Sequence, residues 1–382
     1  IFFRNTFCIM RSSLRLFYKA AWNASDIVVN KSSKPVTLPP PEDLVFGKIL
    51  TNHMFEVKWT AKDGWGTPTI VETHELSMSP AASVLHYAIE CFEGMKAYID
   101  ADGKARLFRP DMNAKRMVSS CNRISLPTYD EAQFVESLKR LVEVDKEWIP
   151  TGKGYSLYIR PTCISTHRTL GIAPPEEALF YIIMSPVGPY YKGGFKPIKL
   201  IAEATYSRAA KGGTGQFKLG SNYGPTILPQ VLASEKGFSQ LLWLNNGVIT
   251  EVGSMNFFVY WKNKAGQLEV ITAPLTEGTV LPGVTRDSAL QLMAQWGYNV
   301  QEKIYTIDDF IEAHQEGRIM EVFGTGTAAI VSQVSEIHYE GEDYNIPTPS
   351  TSSDSLGIRL MEEILAIQYG ERGDHPWSIV VG

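Results

Sequence analysis

The spacing of apolar and polar positions along the chain predicts a mixture of short strands and amphipathic helices. Strand-length apolar stretches lie at residues 105–108, 154–160, 179–183, 241–244 and 257–261. Residues 131–144 instead have helical spacing and are rich in helix formers. Asn245-Asn246-Gly247 follows one of the strands and is typical of a tight turn between antiparallel partners. Without an internal repeat or a heptad pattern, the chain is expected to form packed strands and helices.

The first residues follow a different pattern, which is basic and poor in acids. Arg11, Arg15 and Lys19 share one face at four-residue spacing, and the first acidic residue is Asp26. This pattern is typical of a mitochondrial transit peptide, the alternative being a disordered basic tail. We therefore expect a mitochondrial matrix protein, with a cytoplasmic one as the alternative. The sequons at Asn23 and Asn30 are attributed to chance, because no secretory apolar core precedes them.

Segments dense in proline and glycine divide the rest of the chain. Residues 34–41 form a proline-rich linker, and a second such segment ends before the apolar pattern resumes at residue 198. We expect a leader at 1–33, a smaller N-terminal α/β domain at 34–186, an interdomain loop at 187–197 and a larger C-terminal domain at 198–382.

Lys218 lies within a glycine-rich loop, residues 212–224. A lysine amine becomes a nucleophile when desolvation or a nearby cation lowers its pKa, and it then forms Schiff bases with aldehydes and ketones. Phe217 and Leu219 point to the opposite face of an extended chain, and the glycines allow close approach to a flat ligand. The alternative is a solvated surface lysine beside a turn.

Glu251 lies between two apolar strands, where a carboxylate is costly unless it meets a positive partner or a hydrogen-bond donor. The protonated ring nitrogen of pyridoxal phosphate is such a partner. A carboxylate there keeps the ring cationic, so that the ring can accept electrons. The alternative is an edge-strand glutamate that faces water.

Two further segments suit a phosphate group. In residues 281–287 a Pro-Gly turn leads into a helix, whose free amides form an anion site together with the hydroxyl of Thr285. In residues 323–329 small residues allow amides to converge. Gly324, Gly326 and Ala329 also fit a dinucleotide-binding pattern, but a strand follows them rather than a long helix, which excludes that interpretation.

The order of these features resembles the branched-chain-amino-acid aminotransferases, which have the class IV fold of pyridoxal-phosphate enzymes. The resemblance extends from about residue 44 to residue 377, and the eukaryotic branch is the more similar one. Further matches are Leu44-Val-Phe-Gly, His86-Tyr87-Ala, Cys91-Phe92-Glu-Gly-Met-Lys-Ala-Tyr98, Leu107-Phe-Arg109-Pro110, Tyr155-Ser-Leu-Tyr158-Ile-Arg160-Pro161 and Pro186-Val-Gly-Pro-Tyr190.

The resemblance implies a fold, a reaction and partners. It implies a two-domain α/β (α+β) enzyme, a homodimer, with pyridoxal 5'-phosphate in the interdomain cleft. It also implies reversible transfer of the amino group of leucine, isoleucine or valine to 2-oxoglutarate, giving branched 2-oxo acids and glutamate, in branched-chain amino acid biosynthesis and catabolism.

The resemblance also implies roles for individual residues. Lys218 is expected to carry the cofactor and to act as the general base. Tyr158 and Arg160 share one strand face, and the arginine is expected to accommodate the glutamate side-chain carboxylate. The implied cofactor-binding residues are Lys218, Arg109, Tyr223, Glu251, Leu281, Gly283, Val284, Thr285 and Thr327. The implied substrate-binding residues are Phe46, Tyr87, Phe92, Tyr158, Arg160, Tyr190, Ser254 and Ala328.

Two positions depart from the family pattern. Mammalian members carry a redox Cys-x-x-Cys just past the Gly-Thr loop, where this chain has Ala329 and Ser332, so thiol switching of that kind is not expected. Ser254 stands where a pocket threonine is usual, and the loss of one methyl group is not expected to change the substrate preference.

Other functions share part of this pattern. D-Amino-acid aminotransferases and aminodeoxychorismate lyases have the lysine and the glutamate, but not normally Phe92-Glu-Gly-Met-Lys or the Tyr-x-Arg strand. An inactive regulatory homologue would require a damaged site, whereas Lys218, Glu251, Tyr223 and both threonines are present.

Composition agrees with this assignment. The chain has 382 residues and a net charge of −5, which argues against nucleic acid as the main partner. No apolar run approaches the roughly 20 residues that span a bilayer. Four scattered cysteines, without a Cys-x-x-Cys or His-rich cluster, fit reduced thiols better than disulfides or a metal site. The expected partners are therefore small-molecule substrates and a second copy of the chain, with no nucleic acid and no membrane.

Overall fold

The computed structural model describes residues 22–189 and 196–382, in which strands dominate over helices. The helices of this part are α1 (Val84–Tyr87), α2 (Pro110–Arg123), α3 (Glu131–Val144), α4 (Ile227–Glu235), α5 (Val284–Gln295), α6 (Ile307–Gln315) and α7 (Leu356–Gln368). The strands of the first half are β1 (Val28–Val29), β2 (His53–Thr60), β3 (Gly64–Trp65), β4 (Thr69–Glu72), β5 (Glu90–Phe92), β6 (Met95–Ile99), β7 (Ala105–Phe108), β8 (Ser156–Ser165) and β9 (Glu177–Val187). Those of the second half are β10 (Ile198–Glu203), β11 (Gln240–Asn245), β12 (Val248–Val252), β13 (Met255–Lys262), β14 (Leu268–Thr272), β15 (Val300–Glu302), β16 (Ile319–Gly326), β17 (Ile330–Tyr339), β18 (Glu342–Asn345) and β19 (Ser378–Val381).

The first sheet has the strand order β1-β4-β2-β9-β8-β6-β7-β19, with β3 paired to β2 and β5 to β8. The long antiparallel pair β8–β9 runs in continuous register from Ser156 opposite Val187 to Ser165 opposite Ala178. Helices α2 and α3 pack against the first sheet around a core that contains Phe134 and Phe180. Buried aromatic and β-branched side chains thus hold the sheet that carries Tyr158 and Arg160.

The second sheet has the order β12-β11-β10-β17-β16-β13-β14-β15, with β18 paired to β17. Strand β12 also pairs with β13, which closes six of these strands into a barrel. The β11–β12 hairpin turns at Asn246 and Gly247, whose φ angles of 51° and 77° are those that a tight two-residue hairpin turn requires. This closure places Glu251 inside the barrel wall rather than at a sheet edge, where the alternative interpretation put it.

A third core joins the two sheets. It contains Tyr98 and Phe108 from the first sheet together with Phe258 and Phe323 from the barrel. The chain also crosses back at its C-terminal end, because β19 pairs antiparallel with β7. Apart from β19, the strands of the first sheet end with β9 at Val187, and the barrel begins with β10 at Ile198, so we propose the interdomain boundary between β9 and β10.

Several predicted elements are confirmed, and others differ. The helix at 131–144 is confirmed residue for residue, with Asp130 capping its first amides. Lys218 is not in a strand, since only one isolated bridge, from Leu219 to Cys91, pairs its segment. Among the described residues, no helix has the length and apolar character needed to cross a membrane.

The structure describes only part of the segment predicted as the leader, residues 1–33. Its residues 1–21 lie outside the described part of the chain. Trp22, in contrast, is buried, donates a hydrogen bond to Ser137 at 2.9 Å and packs edge-on against Trp65. Val28–Val29 pair in parallel with Thr69–Ile70. We therefore propose that residues 22–33 pack with the first domain, because an indole buried in the core fixes the chain that carries it.

Candidate active site

A cavity of about 470 Å³ lies where the two sheets meet, and it is within the size range of small-molecule sites. Most of the predicted site residues line it. They are Phe46, Phe92, Tyr158, Arg160, Lys218, Tyr223, Ser254, Leu281, Gly283, Val284, Thr285, Thr327 and Ala328. The other lining residues are Gly94, Arg116, Asn256, Thr325 and Gly326.

Lys218 reaches the cavity from an extended segment that is fixed by its backbone. Its amide donates to the Ser120 hydroxyl at 2.9 Å, and its carbonyl accepts from the Phe92 amide at 3.1 Å. Its Nζ donates to the Tyr223 hydroxyl at 3.2 Å and lies 4.9 Å from the centre of the Phe92 ring. The amine is thus held between a phenol and an aromatic face, and it can attack a carbonyl carbon or move a proton.

Glu251 is buried, with 2% of its surface exposed, beside the cavity wall. Its Oε1 accepts from the Leu281 amide at 2.7 Å and from Asn256 Nδ2 at 3.1 Å, and its Oε2 lies 2.8 Å from Arg208 Nε. Burial raises the pKa of this carboxyl above its ordinary value, and the Arg208 guanidinium opposes the increase. The carboxylate therefore favours a positive charge or a proton donor placed against it.

The turn before α5 forms the end of the cavity that suits an anion. Gly283 precedes the helix, and a Cβ at that position would come within 2.1 Å of Asn256 Oδ1. Thr285 adds a hydroxyl in the first helical turn, where free amides and the helix dipole attract anions. Thr325, the strand partner of Asn256, also lines the cavity, and its buried hydroxyl has no hydrogen-bond partner within the described residues. That orphaned hydroxyl is a donor or acceptor for a bound molecule.

Aromatic residues and one arginine form the opposite side. Arg160 Nη2 donates to the Tyr158 hydroxyl at 2.9 Å, and its guanidinium lies 4.7 Å from the centre of the Phe92 ring. Phe46 packs edge-on against Tyr158 at 4.6 Å. A Cβ on Gly94 would meet the Tyr158 hydroxyl at 2.1 Å, so a glycine is required there. This wall offers apolar surface and one cation to the same ligand.

Four predicted residues are not among those that line the cavity. Glu251 lies behind its wall, and Tyr190 lies outside the described residues. Arg109 precedes α2, and its side chain contacts Ser288 at 2.7 Å and Asp287 at 2.5 Å in the first turns of α5. Tyr87 lies on the surface, where its hydroxyl donates to the Leu170 carbonyl.

Sequence reasoning missed three polar residues of the site. Arg116 lines the cavity and pairs with the buried Glu93. It lies seven residues after Arg109, a spacing that places two side chains on one side of a helix, and this spacing could have indicated it. Asn256 is opposite Glu251 in the β12–β13 hairpin, which strand pairing across Gly253 indicates. Arg208 precedes the glycine-rich loop and has no local signal, because only the tertiary structure brings it to Glu251.

The residues present fit pyridoxal phosphate. A lysine amine suits the aldehyde, a buried carboxylate suits the ring nitrogen, and the start of α5 with Thr285 suits the phosphate. The unpartnered Thr325 hydroxyl indicates that the cavity is completed by a polar ligand.

Known proteins resemble this chain along most of its length. Residues 90–337 match the family amino-transferase class IV. The chain is 53% identical, over 94% of its length and 96% of the relative's, to a branched-chain-amino-acid aminotransferase of Dictyostelium discoideum. It is 47% identical to a mitochondrial one of Schizosaccharomyces pombe, over 94% of the chain and 85% of the relative. It is also 47% identical to a cytosolic one of Saccharomyces cerevisiae, over 95% of the chain and 98% of the relative.

A solved structure gives the same result at the level of the fold. The branched-chain aminotransferase from the thermophilic archaeon Thermoproteus uzoniensis, solved with norvaline, superimposes with a TM-score of 0.69 at 22% identity. The match covers 85% of this chain and 99% of that one.

Proposed function

Because the chain belongs to the class IV aminotransferases, we propose that it is a pyridoxal-phosphate-dependent branched-chain-amino-acid aminotransferase. It transfers the amino group of leucine, isoleucine or valine reversibly to 2-oxoglutarate. The observation that supports this most is the joint placement of the Lys218 amine and the α5 turn in one cavity backed by the buried Glu251.

Pyridoxal phosphate, when bound, supplies an aldehyde carbon and a ring that accepts electrons. Lys218 would hold it through Nζ, and the same Nζ, when free, would move the proton at the substrate α-carbon. Glu251 holds a proton at the ring nitrogen, since its buried carboxylate favours a positive charge there. Tyr223, within hydrogen-bond distance of Lys218, binds the ring hydroxyl oxygen and orients both groups.

The residues that would hold the phosphate and those that would bind the substrate line the same cavity. Leu281, Gly283, Val284, Thr285 and Thr327 would bind the phosphate, and Arg109 would reinforce that end through its side-chain contact with α5. The amides near Ala328 bind the substrate α-carboxylate.

The aromatic wall binds the substrate side chain. Phe46, Phe92 and Tyr158 exclude water from a branched aliphatic group. Arg160 binds the second carboxylate of 2-oxoglutarate, and its buried Nε, which has no partner within the described residues, is a donor available for it. Ser254 adds a small polar wall. One pocket thus accepts both an aliphatic and an acidic side chain.

We also propose that two copies of the chain pair through an exposed apolar surface. On it, Leu170 is 71% and Ile172 is 83% exposed, and Tyr87 contacts this loop through its hydroxyl. A patch of this kind marks an interaction site, and a second copy is the partner that a homodimer requires. Light scattering on the purified protein tests the assembly, with a monomer as the contradicting result.

The compartment is proposed to be the mitochondrial matrix, from the basic pattern of residues 1–21. Related enzymes are named both mitochondrial and cytosolic. A fluorescent fusion of the first 33 residues should enter mitochondria, and diffuse cytosolic fluorescence would contradict the proposal.

The reaction itself is tested by the absorption spectrum of the purified protein. We expect a yellow protein in which borohydride fixes the pyridoxyl group on Lys218, as mapped by peptide mass. Leucine should bleach the absorbance and 2-oxoglutarate should restore it. Bleaching by D-alanine instead would assign a D-amino-acid aminotransferase, and a protein that takes up no pyridoxal phosphate would refute the mechanism.

A further inference from the structure

Lys96 is a buried cation beside the active site, and no acidic partner for it is found in the described ranges. It lies in β6, is 8% exposed, and its Nζ donates a hydrogen bond to the Ala328 carbonyl at 2.8 Å. Burial alone lowers the pKa of this ammonium to about 8. A buried ammonium without a counter-ion destabilises the fold, so its presence needs another explanation.

The position of Lys96 connects it to the substrate. It lies opposite Tyr158 in the β6–β8 register, and Tyr158 lines the active-site cavity. Its hydrogen bond crosses from the first sheet to the turn at Ala328, which the resemblance assigns to the substrate α-carboxylate. A second cavity of about 170 Å³, lined by Lys96 and otherwise by apolar residues and backbone, shares Phe46 and Ala328 with the active site. The ammonium is thus one residue layer behind the place where a carboxylate would bind.

The turn at residues 325–328 is held to the first sheet at two points. Lys96 binds the Ala328 carbonyl, and the Thr327 hydroxyl donates to the Gly94 carbonyl at 3.4 Å. With its carbonyl drawn towards the ammonium, the turn keeps its amides free for the cavity. The uncompensated positive charge also acts through a region from which water is excluded, where its effect on a nearby anion is large.

We propose that Lys96 is a positioning residue that makes the active site selective for carboxylate-bearing ligands. It does so by fixing the Ala328 turn and by supplying the positive charge behind it. This inference rests on the proposed aminotransferase function, and it deepens that function by assigning the selectivity for the α-carboxylate to a residue that does not touch the substrate.

The test compares two probes with the same carbon skeleton, one ending in a carboxylate and the other in a neutral carboxamide. 4-Methylvalerate is leucine without its amino group, and 4-methylvaleramide is its neutral counterpart. Each is titrated into the holoenzyme and the dissociation constant is read from the shift of the cofactor absorbance. Because neither probe has an amino group, binding is measured without turnover.

Three variants separate charge from hydrogen bonding and from general effects. Lys96→Met removes both the charge and the donor, while Lys96→Gln keeps a neutral donor. Lys104→Met is the control, because it removes an exposed lysine from the same β6–β7 hairpin. The Met variant is expected to fold, since a flexible apolar chain of similar length replaces a buried charge.

In Lys96→Met we expect the dissociation constant of 4-methylvalerate to rise about tenfold or more, because its carboxylate loses both the positive charge behind the turn and the fixed position of the turn itself. The dissociation constant of 4-methylvaleramide should change less than about twofold, within the scatter of a surface substitution. KM for leucine should rise with a smaller change in kcat, since bound ground state and transition state lose the same interaction. Lys96→Gln should have a dissociation constant for 4-methylvalerate between those of the wild type and Lys96→Met. The melting temperatures of both variants should not fall below that of the wild type.

Two results would overturn the inference. In the first, both Lys96 variants keep the wild-type discrimination between acid and amide. In the second, the variants bind both probes equally more weakly and their melting temperature falls. That result would mean that Lys96 is only a structural tether of the turn. A wild-type protein that binds neither probe and is not bleached by leucine would instead remove the proposed function on which the inference depends.

Discussion

The buried ion pair between Glu93 and Arg116 leads to a quantitative prediction for Glu93→Gln. Arg116 Nε and Nη2 donate to the two oxygens of Glu93 at 2.7 Å each, and Asn113 Nδ2 donates to the same carboxylate at 2.7 Å. Arg116 Nη1 continues to the Pro282 carbonyl at 2.9 Å, at the turn before α5. Burial opposes ionisation of Glu93, but Arg116 outweighs it and holds the pKa of this carboxyl below its ordinary value.

The substitution keeps the volume of the side chain but leaves a buried guanidinium without its counter-charge. Removing one partner of a buried pair costs about 3–5 kcal/mol, and we expect about 3 kcal/mol because the glutamine oxygen still accepts one bond. For a domain of this size that corresponds to a fall in melting temperature of roughly 6–12 °C. The double variant Glu93→Gln with Arg116→Met should regain about 2 kcal/mol, since no unpaired charge remains.

Thermal unfolding of the apo protein measures how far Glu93→Gln lowers the free energy of unfolding. The rate of pyridoxal phosphate release from the holoenzyme measures the effect on the turn at Pro282. Glu136→Gln is the control, because its pair with Lys139 is exposed, and it should change the stability by less than about 0.5 kcal/mol. A loss below about 1 kcal/mol for Glu93→Gln, or strict additivity in the double variant, would refute the reasoning.

The pH dependence gives a second readout of the same pair. The folded pKa of Glu93 is depressed, so its contribution is present above the unfolded pKa of about 4.3 and is lost as the pH falls through the folded value. Glu93→Gln should therefore show a flatter loss of stability in acid than the wild type. An unchanged acid limb would contradict the assignment.

Three further outcomes are expected. Glu251→Gln should retain bound pyridoxal phosphate but lower kcat/KM for leucine about 10²–10³-fold, because the charge proposed to hold the ring proton is lost. An unchanged kcat/KM would contradict this role. Ser355→Ala should cost about 1–2 kcal/mol in urea unfolding, because Ser355 caps α7 and donates to the buried Glu321, while the exposed Ser353→Ala should be neutral. Each tenfold increase in pyridoxal phosphate above its dissociation constant should stabilise the apo protein by about 1.4 kcal/mol, and a concentration-independent melting temperature would exclude binding to the folded state.

Local signals account for the parts of the fold and site that the sequence predicts. The helix at 131–144 follows from its spacing and its capping aspartate, and the turn at Asn246-Gly247 from residues that tolerate positive φ. Lys218 and the α5 turn are predicted in the same way, because glycine-rich segments next to reactive or hydroxyl side chains are visible along the chain. These signals act within a few residues, where backbone geometry dominates.

The tertiary structure alone decides how those segments meet. Arg208 reaches Glu251 and Arg116 reaches Pro282 across long stretches of chain, and no local pattern specifies either contact. Whether Trp22 belongs to a leader or to a core likewise depends on the pocket that Phe55 and Phe180 offer it.

The chain by itself thus determines which chemical groups are available and in what order: a lysine, a carboxylate and two anion-binding turns. Closing β12 onto β13 buries Glu251, and docking the barrel against the first sheet places Lys96 against the Ala328 carbonyl. Burial and charge separation set the pKa values and selectivity of these groups, and both depend on the surroundings that distant residues create. For that reason the reactive residues are readable from sequence, while the electrostatics that make them work are a property of the fold.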